Sequence, residues 1–214
     1  KVAGDFYDFF MVPKLQCMGI VIGDVCDKGV GAALFMTLFR SLIRSGALFG
    51  GRTERSAGDD ELECTLLHAL RSTNRYIAST HRGSSMFASV FFGLIDPQTG
   101  LLRYVNAGHE APWIGHGDRV RAQLPTTGPV VGLFEEAEYE VGSAELRPGE
   151  WFFAYTDGAT DAQNEAGEAF SEDLLRRTFV EGATQGAPML ETVRRALDGF
   201  IGKADQFDDI TMIS

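Results

Sequence analysis

"GDVCDKGVGAALFM", residues 23–36, turns a strand-like run into a helix-like run and places Asp24, Asp27 and Lys28 at the junction. Upstream, "DFYDFFMV" (5–12) and "QCMGIVIGD" (16–24) are β-rich runs separated by Pro13, Lys14 and Leu15, which reads as a hairpin. If its loop centres on Lys14 and Leu15, Asp5 and Asp24 lie equally far from the turn and face each other on the ladder. Opposed side chains stand with Cβ atoms about 4.5–5.5 Å apart, and like charges so placed destabilise a sheet. Something positive is therefore expected between them. Downstream, Leu34, Phe35, Leu38, Phe39, Leu42 and Ile43 recur at helical spacing, with Gly46 and Gly50-Gly51 read as the helix exit. Asp27 is read as the cap of that helix.

The rest of the chain extends the pattern. Residues 50–60 are polar and glycine-rich, ending in acidic candidates for the cap of a second helix over 60–80. "MFASVFFGLID", "LLRYVNAGH", "APWIGHG", "RVRAQL" and "EYEVGSAEL" read as antiparallel strands separated by turns, and "GEWFFAYTD" as one more. Ser171 is the expected cap of "SEDLLRRTFV", a helix follows at "APMLETVRRALDGFIG", and "DDITMIS" reads as a last strand. Two antiparallel sheets stacked face to face, each covered by a helix pair, would bury these apolar faces: an α+β fold, a four-layer αββα sandwich. The 214 residues are read as one domain.

A formal charge of −11 disfavours nucleic acid and anionic membrane as partners. The reading finds no apolar run of membrane-spanning length. Three cysteines without a CxxC pair suggest neither a disulfide framework nor a zinc knuckle, and favour a cytoplasmic setting. Cys26 is read as a small residue at a strand end in preference to an oxidation sensor.

A second acidic pairing repeats the logic of the first. Asp157 ends the strand "EWFFAYT", and Asp208 or Asp209 starts the last strand; antiparallel neighbours would bring that end beside that start. Hard oxygen donors without nearby His or Cys select Mg²⁺ or Mn²⁺ over zinc, and this many carboxylates suits two ions.

"GDFYD" (4–8), "GDVCDKGVGAALFM" (23–36), "MFASVFFGLID" (86–96), "NAGHEAPW" (106–113), "YTDGATDAQNEAGEAF" (155–170) and "DDITM" (208–212) together resemble the successive motifs of the metal-dependent PPM (type 2C-like) serine/threonine protein phosphatases, in their bacterial SpoIIE/RsbU-like branch. The resemblance covers essentially the whole chain. It implies the αββα sandwich with a binuclear Mn²⁺/Mg²⁺ site in a cleft between sheet edges. By motif, Asp5, Asp24 and the carbonyl of Val25 would hold one ion, and Asp24, Asp157 and Asp208 the other, with Asp209 the less favoured of the last two. Asp24 would bridge.

The resemblance further implies a phosphatase acting on phosphoserine or phosphothreonine of a small regulatory protein of the anti-sigma antagonist type, and control by a sensor domain in cis. The chain, beginning abruptly at Lys1, is read as residues 1–214 of a longer protein that could be membrane-tethered through its missing N-terminal part; a homodimer is left open. Lys28 departs from the pattern, standing where many members have a histidine that is a suspected acid. An ammonium with an ordinary pKa near 10.4 is a poor donor at neutral pH, so Lys28 is expected to attract phosphate. His109 is read as a turn residue, and Asp8 and Asp161 stay outside the ligand set. A catalytically weak phosphoprotein-binding scaffold and a small-molecule phosphomonoesterase are the competing readings.

Overall fold

The structure, a computed structural model, describes residues 4–50, 60–81, 83, 86–184 and 188–214. The hairpin is β1 (Asp5–Val12) and β2 (Cys17–Val25), followed by α1 (Val30–Phe49) and α2 (Glu61–Thr80). Then come β3 (Ala88–Ile95), β4 (Leu101–Ala107), β5 (Trp113–His116), β6 (Arg119–Gln123), β7 (Gly142–Glu145) and β8 (Trp151–Tyr155). Helices α3 (Glu172–Thr184) and α4 (Met189–Ile201) precede the short β9 (Met212–Ile213). The class is α+β, as expected, with two antiparallel sheets ordered β1-β2-β3-β4-β7 and β6-β5-β8-β9. The chain divides into two compact units, Lys1–His109 with Pro125–Leu146, and Glu110–Leu124 with Arg147–Ser214. Each unit holds one sheet and one helix pair.

In the first unit the hairpin runs in unbroken register, Asp5↔Asp24 to Val12↔Cys17. Two aromatic rings pin it. Phe6 and Phe10 face Gly23 and Gly19, and a Cβ at either glycine would come within 2.7–2.8 Å of the opposing ring. A one-residue slip would push these rings against side chains and turn each strand's buried face outward. Phe6, Phe10 and Val12 join Phe39 and Ile43 of α1, Leu66 and Leu70 of α2, and Phe92 of β3 in one core cluster. Burying a side chain of that size contributes about 1.5–3 kcal/mol, which is why an amphipathic helix pair covers this face.

Several local expectations change. Gly46 does not end α1 but lies within it, where a Cβ would stand 2.8 Å from Cα of Ala69 on α2, so the glycine sets the close approach of the two helices. Asp27 does not cap α1. The cap position is Gly29, without a side-chain hydrogen bond, and Oδ1 of Asp27 accepts the amide of Lys28 at 2.8 Å. Asp60, by contrast, caps α2 through the amide of Leu62 and also accepts from Arg103 of β4. The polar stretch 51–59 lies outside the described residues. The run "EYEVGSAEL" pairs only over β7, because its first part is tied to the 125–128 turn by Glu140 N donating to Thr127 O.

One helix corrects the reading of the apolar runs: α1, 20 residues with a window of mean hydropathy 1.3, is long and apolar enough to cross a membrane by length and composition. Its Ala32, Phe39, Ile43 and Ala47 are buried, and its Arg40 and Arg44 both pair with the buried Asp8. Those contacts pack one face of α1 onto the first unit, while Val30, Leu34 and Phe49 stay exposed.

The second unit gathers Trp113, Phe153, Tyr155, Leu175, Phe179, Val193 and Leu197 around its sheet and helices. The rings of Phe153 and Phe179 meet at a tilt of 33° with centroids 4.1 Å apart. Ser171 accepts from the amide of Leu174 at the start of α3, as its spacing predicts.

Candidate active site

Strand register does most of the positioning in the first unit. Asp5 and Asp24 sit directly opposite on β1 and β2, and Asp24 faces Ser89 on β3, so one sheet end carries a row of three oxygen-bearing side chains. Asp5 is buried and Asp24 half-buried. Gly4 lets the oxygens converge: a Cβ there would stand 3.0 Å from the carbonyl oxygen of Val25 and 3.2 Å from Oδ1 of Asp24. Asp5, Asp24 and the Val25 carbonyl, assigned together by motif, therefore occupy one corner. Asp8 points to the opposite face, where Oδ1 accepts from Arg40 at 3.1 Å and Arg44 at 3.4 Å.

Ser89 was not singled out by sequence reasoning. Its Oγ lies 2.8 Å from Nδ1 of the buried His109, whose amide donates to Oδ1 of Asn106 at 2.8 Å. His109 thus fills the turn role read for it and braces the serine beside Asp24. Only the strand register exposes that link, since 20 residues separate the two. Lys28 is exposed on the loop leading into α1, next to Asp27 with its left-handed backbone, φ 74°. Strain of that kind persists where neighbouring structure over-determines it, as at functional loops. The Cys26 amide donates to Phe87 O and its Sγ accepts from Phe87 N, and burial raises its thiol pKa above the ordinary value. A thiol held protonated in this way suits a strand-end packing residue.

In the second unit, loops carry the acids. Asp157, expected to end the strand, instead opens a 3₁₀ turn two residues past the end of β8 at Tyr155. Asp208 and Asp209 likewise precede β9, which is only two residues long, so neither starts the strand. The expected neighbourhood nevertheless forms. Thr156 N donates to Thr211 O at 3.0 Å, Thr211 N to the Thr156 hydroxyl at 3.0 Å, and Gly158 is pressed onto the Asp209 carbonyl, where a Cβ could not fit. Oδ1 of Asp208 takes the amide of Asp209. Asp161 N donates to Asp157 O within the turn.

Glu110, also missed in the sequence, has its pKa raised by burial first and then by Asp157, Glu172 and Asp161. It marks a concentration of negative charge around Asp157 that welcomes a cation. Among the described residues, no group of three or more His, Cys, Asp or Glu side chains stands in metal-holding geometry. What each unit offers is a pair of carboxylates, joined in the first by a carbonyl. Such all-oxygen donors suit hard divalent ions.

The sequence profile described as Stage II sporulation protein E (SpoIIE) matches residues 15–214. The chain belongs to the SpoIIE family. Among relatives of this SpoIIE-family chain, Protein IcfG of Synechocystis sp. (strain ATCC 27184 / PCC 6803 / Kazusa) is 42% identical over 227 residues, covering 100% of the chain and 36% of IcfG. Phosphoserine phosphatase RsbU of Bacillus subtilis (strain 168) is 26% identical over 219 residues, covering 100% of the chain and 59% of RsbU. The chain thus spans well under two thirds of either relative. The solved SiaA-PP2C domain of Pseudomonas aeruginosa superposes with a TM-score of 0.78 at 23% identity, over 99% of this chain and 79% of that one. The SpoIIE-family fold is that of a PP2C domain.

Proposed function

We propose that residues 1–214 are the phosphatase domain of a longer protein and hydrolyse phosphoserine or phosphothreonine on a small regulatory protein of the anti-sigma antagonist type. The domain is of the serine/threonine phosphatase class, a reading supported by the SpoIIE-family match and the likeness to RsbU. The observation that carries it is the opposition of Asp5 and Asp24 in the hairpin register beside the Val25 carbonyl. Two carboxylates held face to face are costly without a cation.

Asp5, Asp24 and the Val25 carbonyl are proposed to hold one Mn²⁺ or Mg²⁺, and Asp24, Asp157 and Asp208 a second, with Asp209 the less favoured alternative. Such ions supply charge neutralisation of the phosphoryl group and acidification of water. The chain's own residues do the rest. The ladder fixes the backbone of Asp5 and Asp24 opposite each other. Ser89, braced by His109, occupies the next place in the row. Lys28, exposed at the loop before α1, draws the phosphate dianion toward this sheet end. Control by an N-terminal sensor domain and a cytoplasmic setting complete the proposal.

Phosphate release from a phosphoserine protein, measured with and without Mn²⁺ on the protein in its full length, tests it. Metal-stimulated release is expected. Retention of an intact phosphorylated partner in Mn²⁺ without release would favour the scaffold reading.

A further inference from the structure

Strands β3 and β4 pair as far as Val90↔Ala107, so a straight continuation of β4 would set Gly108 opposite Ser89. The chain leaves the ladder there. Gly108 takes the left-handed region, φ 71°, against Val130, where a Cβ would stand 2.7 Å from Cγ1. That turn folds His109 back onto β3, and its Nδ1 stops 2.8 Å from Oγ of Ser89. Three bonds hold the turn: the His109 amide donates to Oδ1 of Asn106 at 2.8 Å, the Asn106 amide to the Thr127 hydroxyl at 3.0 Å, and the Thr127 amide to the Asn106 carbonyl at 2.7 Å. Asn106 and His109 are both buried, and a buried polar side chain costs free energy that an apolar residue of similar size would not. A glycine turn, an asparagine and an imidazole thus converge on one half-buried serine hydroxyl.

Ser89 faces Asp24 across the β2–β3 ladder, and Asp24 faces Asp5 across the β1–β2 ladder. Opposed side chains keep their Cβ atoms about 4.5–5.5 Å apart, within the span of a hydroxyl-to-carboxylate hydrogen bond. The charge of the row assigns the tautomer of His109. Were the serine to donate to Nδ1, its oxygen lone pairs would be left facing a carboxylate. With the proton on Nδ1 the imidazole donates to Oγ, the serine proton is left for the anion, and donors chained in this sense strengthen one another.

We propose that His109 and Ser89 are a positioning pair for the Asp24 corner: His109 Nδ1–H donates to Ser89 Oγ, and the Ser89 hydroxyl donates to Oδ2 of Asp24. Oδ1, the oxygen beside Gly4 and the Val25 carbonyl, is thereby left for a hard divalent ion. The inference rests on the phosphatase reading and deepens it. Neither residue touches substrate; both act through Asp24.

The test is Mn²⁺ affinity in the full-length protein, read from the electron paramagnetic resonance signal of free Mn²⁺, with thermal melts in chelator beside it. Ser89→Ala should weaken binding about 10–100-fold, the range for a partner that orients a metal ligand, and melt with wild type in chelator; Ser89→Thr should restore the affinity. His109→Leu removes the donor and should weaken binding by a similar factor, whereas His109→Asn, whose Nδ2 stands in for Nδ1–H, should keep most of it. Because both residues act through one bond, the double variant Ser89→Ala with His109→Leu should bind no worse than the poorer single variant. Excess Mn²⁺ should return phosphate release by Ser89→Ala toward wild type. Should His109→Leu melt low in chelator, the two serine variants decide. Unchanged affinity in Ser89→Ala, a loss that Ser89→Thr fails to restore, or losses that multiply in the double variant would each overturn the pair. Wild type that binds no Mn²⁺ would overturn the phosphatase reading and the pair together; the expected binding pattern without phosphate release would support the pair and overturn the phosphatase reading alone.

Discussion

The two units place their acids by different means. In the first, Asp5 and Asp24 are members of a hairpin in unbroken register, locked by Phe6 over Gly23 and Phe10 over Gly19. In the second, Asp157 sits in a 3₁₀ turn and Asp208 in an irregular loop, beside a strand of two residues, and β5 and β6 shift register between Ile114 and Gly115. A ladder fixes a side chain through every neighbouring pair, whereas a loop fixes it through a few bonds, here chiefly those joining Thr156 and Thr211. The difference teaches that one half of the acid set is pre-formed by sheet geometry and the other by local turns.

Four experiments would break or sharpen this contrast. The largest effect is on stability. Phe92→Ala in β3 and Phe153→Ala in β8 each remove a fully buried ring and should cost about 3–5 kcal/mol. Hydrogen exchange should locate the first loss in the long-strand unit and the second in the short-strand unit; uniform deprotection by both would dissolve the distinction.

Next comes activity. Asp24→Asn keeps the ladder but halves the charge of the opposed pair, and phosphate release should fall more than about 100-fold, beyond what loss of a mere outer-shell partner costs. Retained turnover would remove Asp24 from the chemistry.

A smaller and opposite effect is expected on the metal-free fold. Asp5→Asn relieves like-charge opposition, so without divalent ions the variant should melt higher than wild type by a few degrees, corresponding to about 1 kcal/mol. Mn²⁺ should stabilise wild type and narrow or reverse the gap. A variant that melts lower in chelator would show that the pair is not under repulsion.

The smallest effect concerns Glu150 in the second unit, whose carboxylate is held below its usual pKa first by the Arg121 hydrogen bonds and then by the Arg147 amide. A depressed folded-state pKa means stability that is present above the unfolded value and lost as pH falls through the folded one. Glu150→Gln should therefore cost about 1 kcal/mol or less at pH 7, the partner Arg121 being about one-third solvent-exposed (35%), and nothing well below pH 4. A constant difference across that range would point to packing instead of charge.

Much of this was legible in the chain. Alternation in "DFYDFFMV", the short Pro13-Lys14-Leu15 connection and the six ordered motifs were enough for the hairpin, the opposition of Asp5 and Asp24, the class of fold and the family. Periodicity also located the four helices, because apolar spacing is a local property. Where it erred, non-local contacts had intervened. Gly46 reads as a stop, yet it is the thin point where α1 meets Ala69. Asp27 has the composition of a cap, yet its left-handed backbone turns it to Lys28, leaving Gly29 at the cap position.

What the sequence by itself determined is the pairing of nearby segments, since strand alternation and a short turn leave one register that buries the right face. What only the tertiary structure decided is which distant groups brace that register: His109 against Ser89, Asn74 against the Gly132 turn, Asp8 against two arginines of α1. No local pattern encodes those partners, because each bond joins residues at least 20 positions apart whose meeting depends on how the helices cover the sheet.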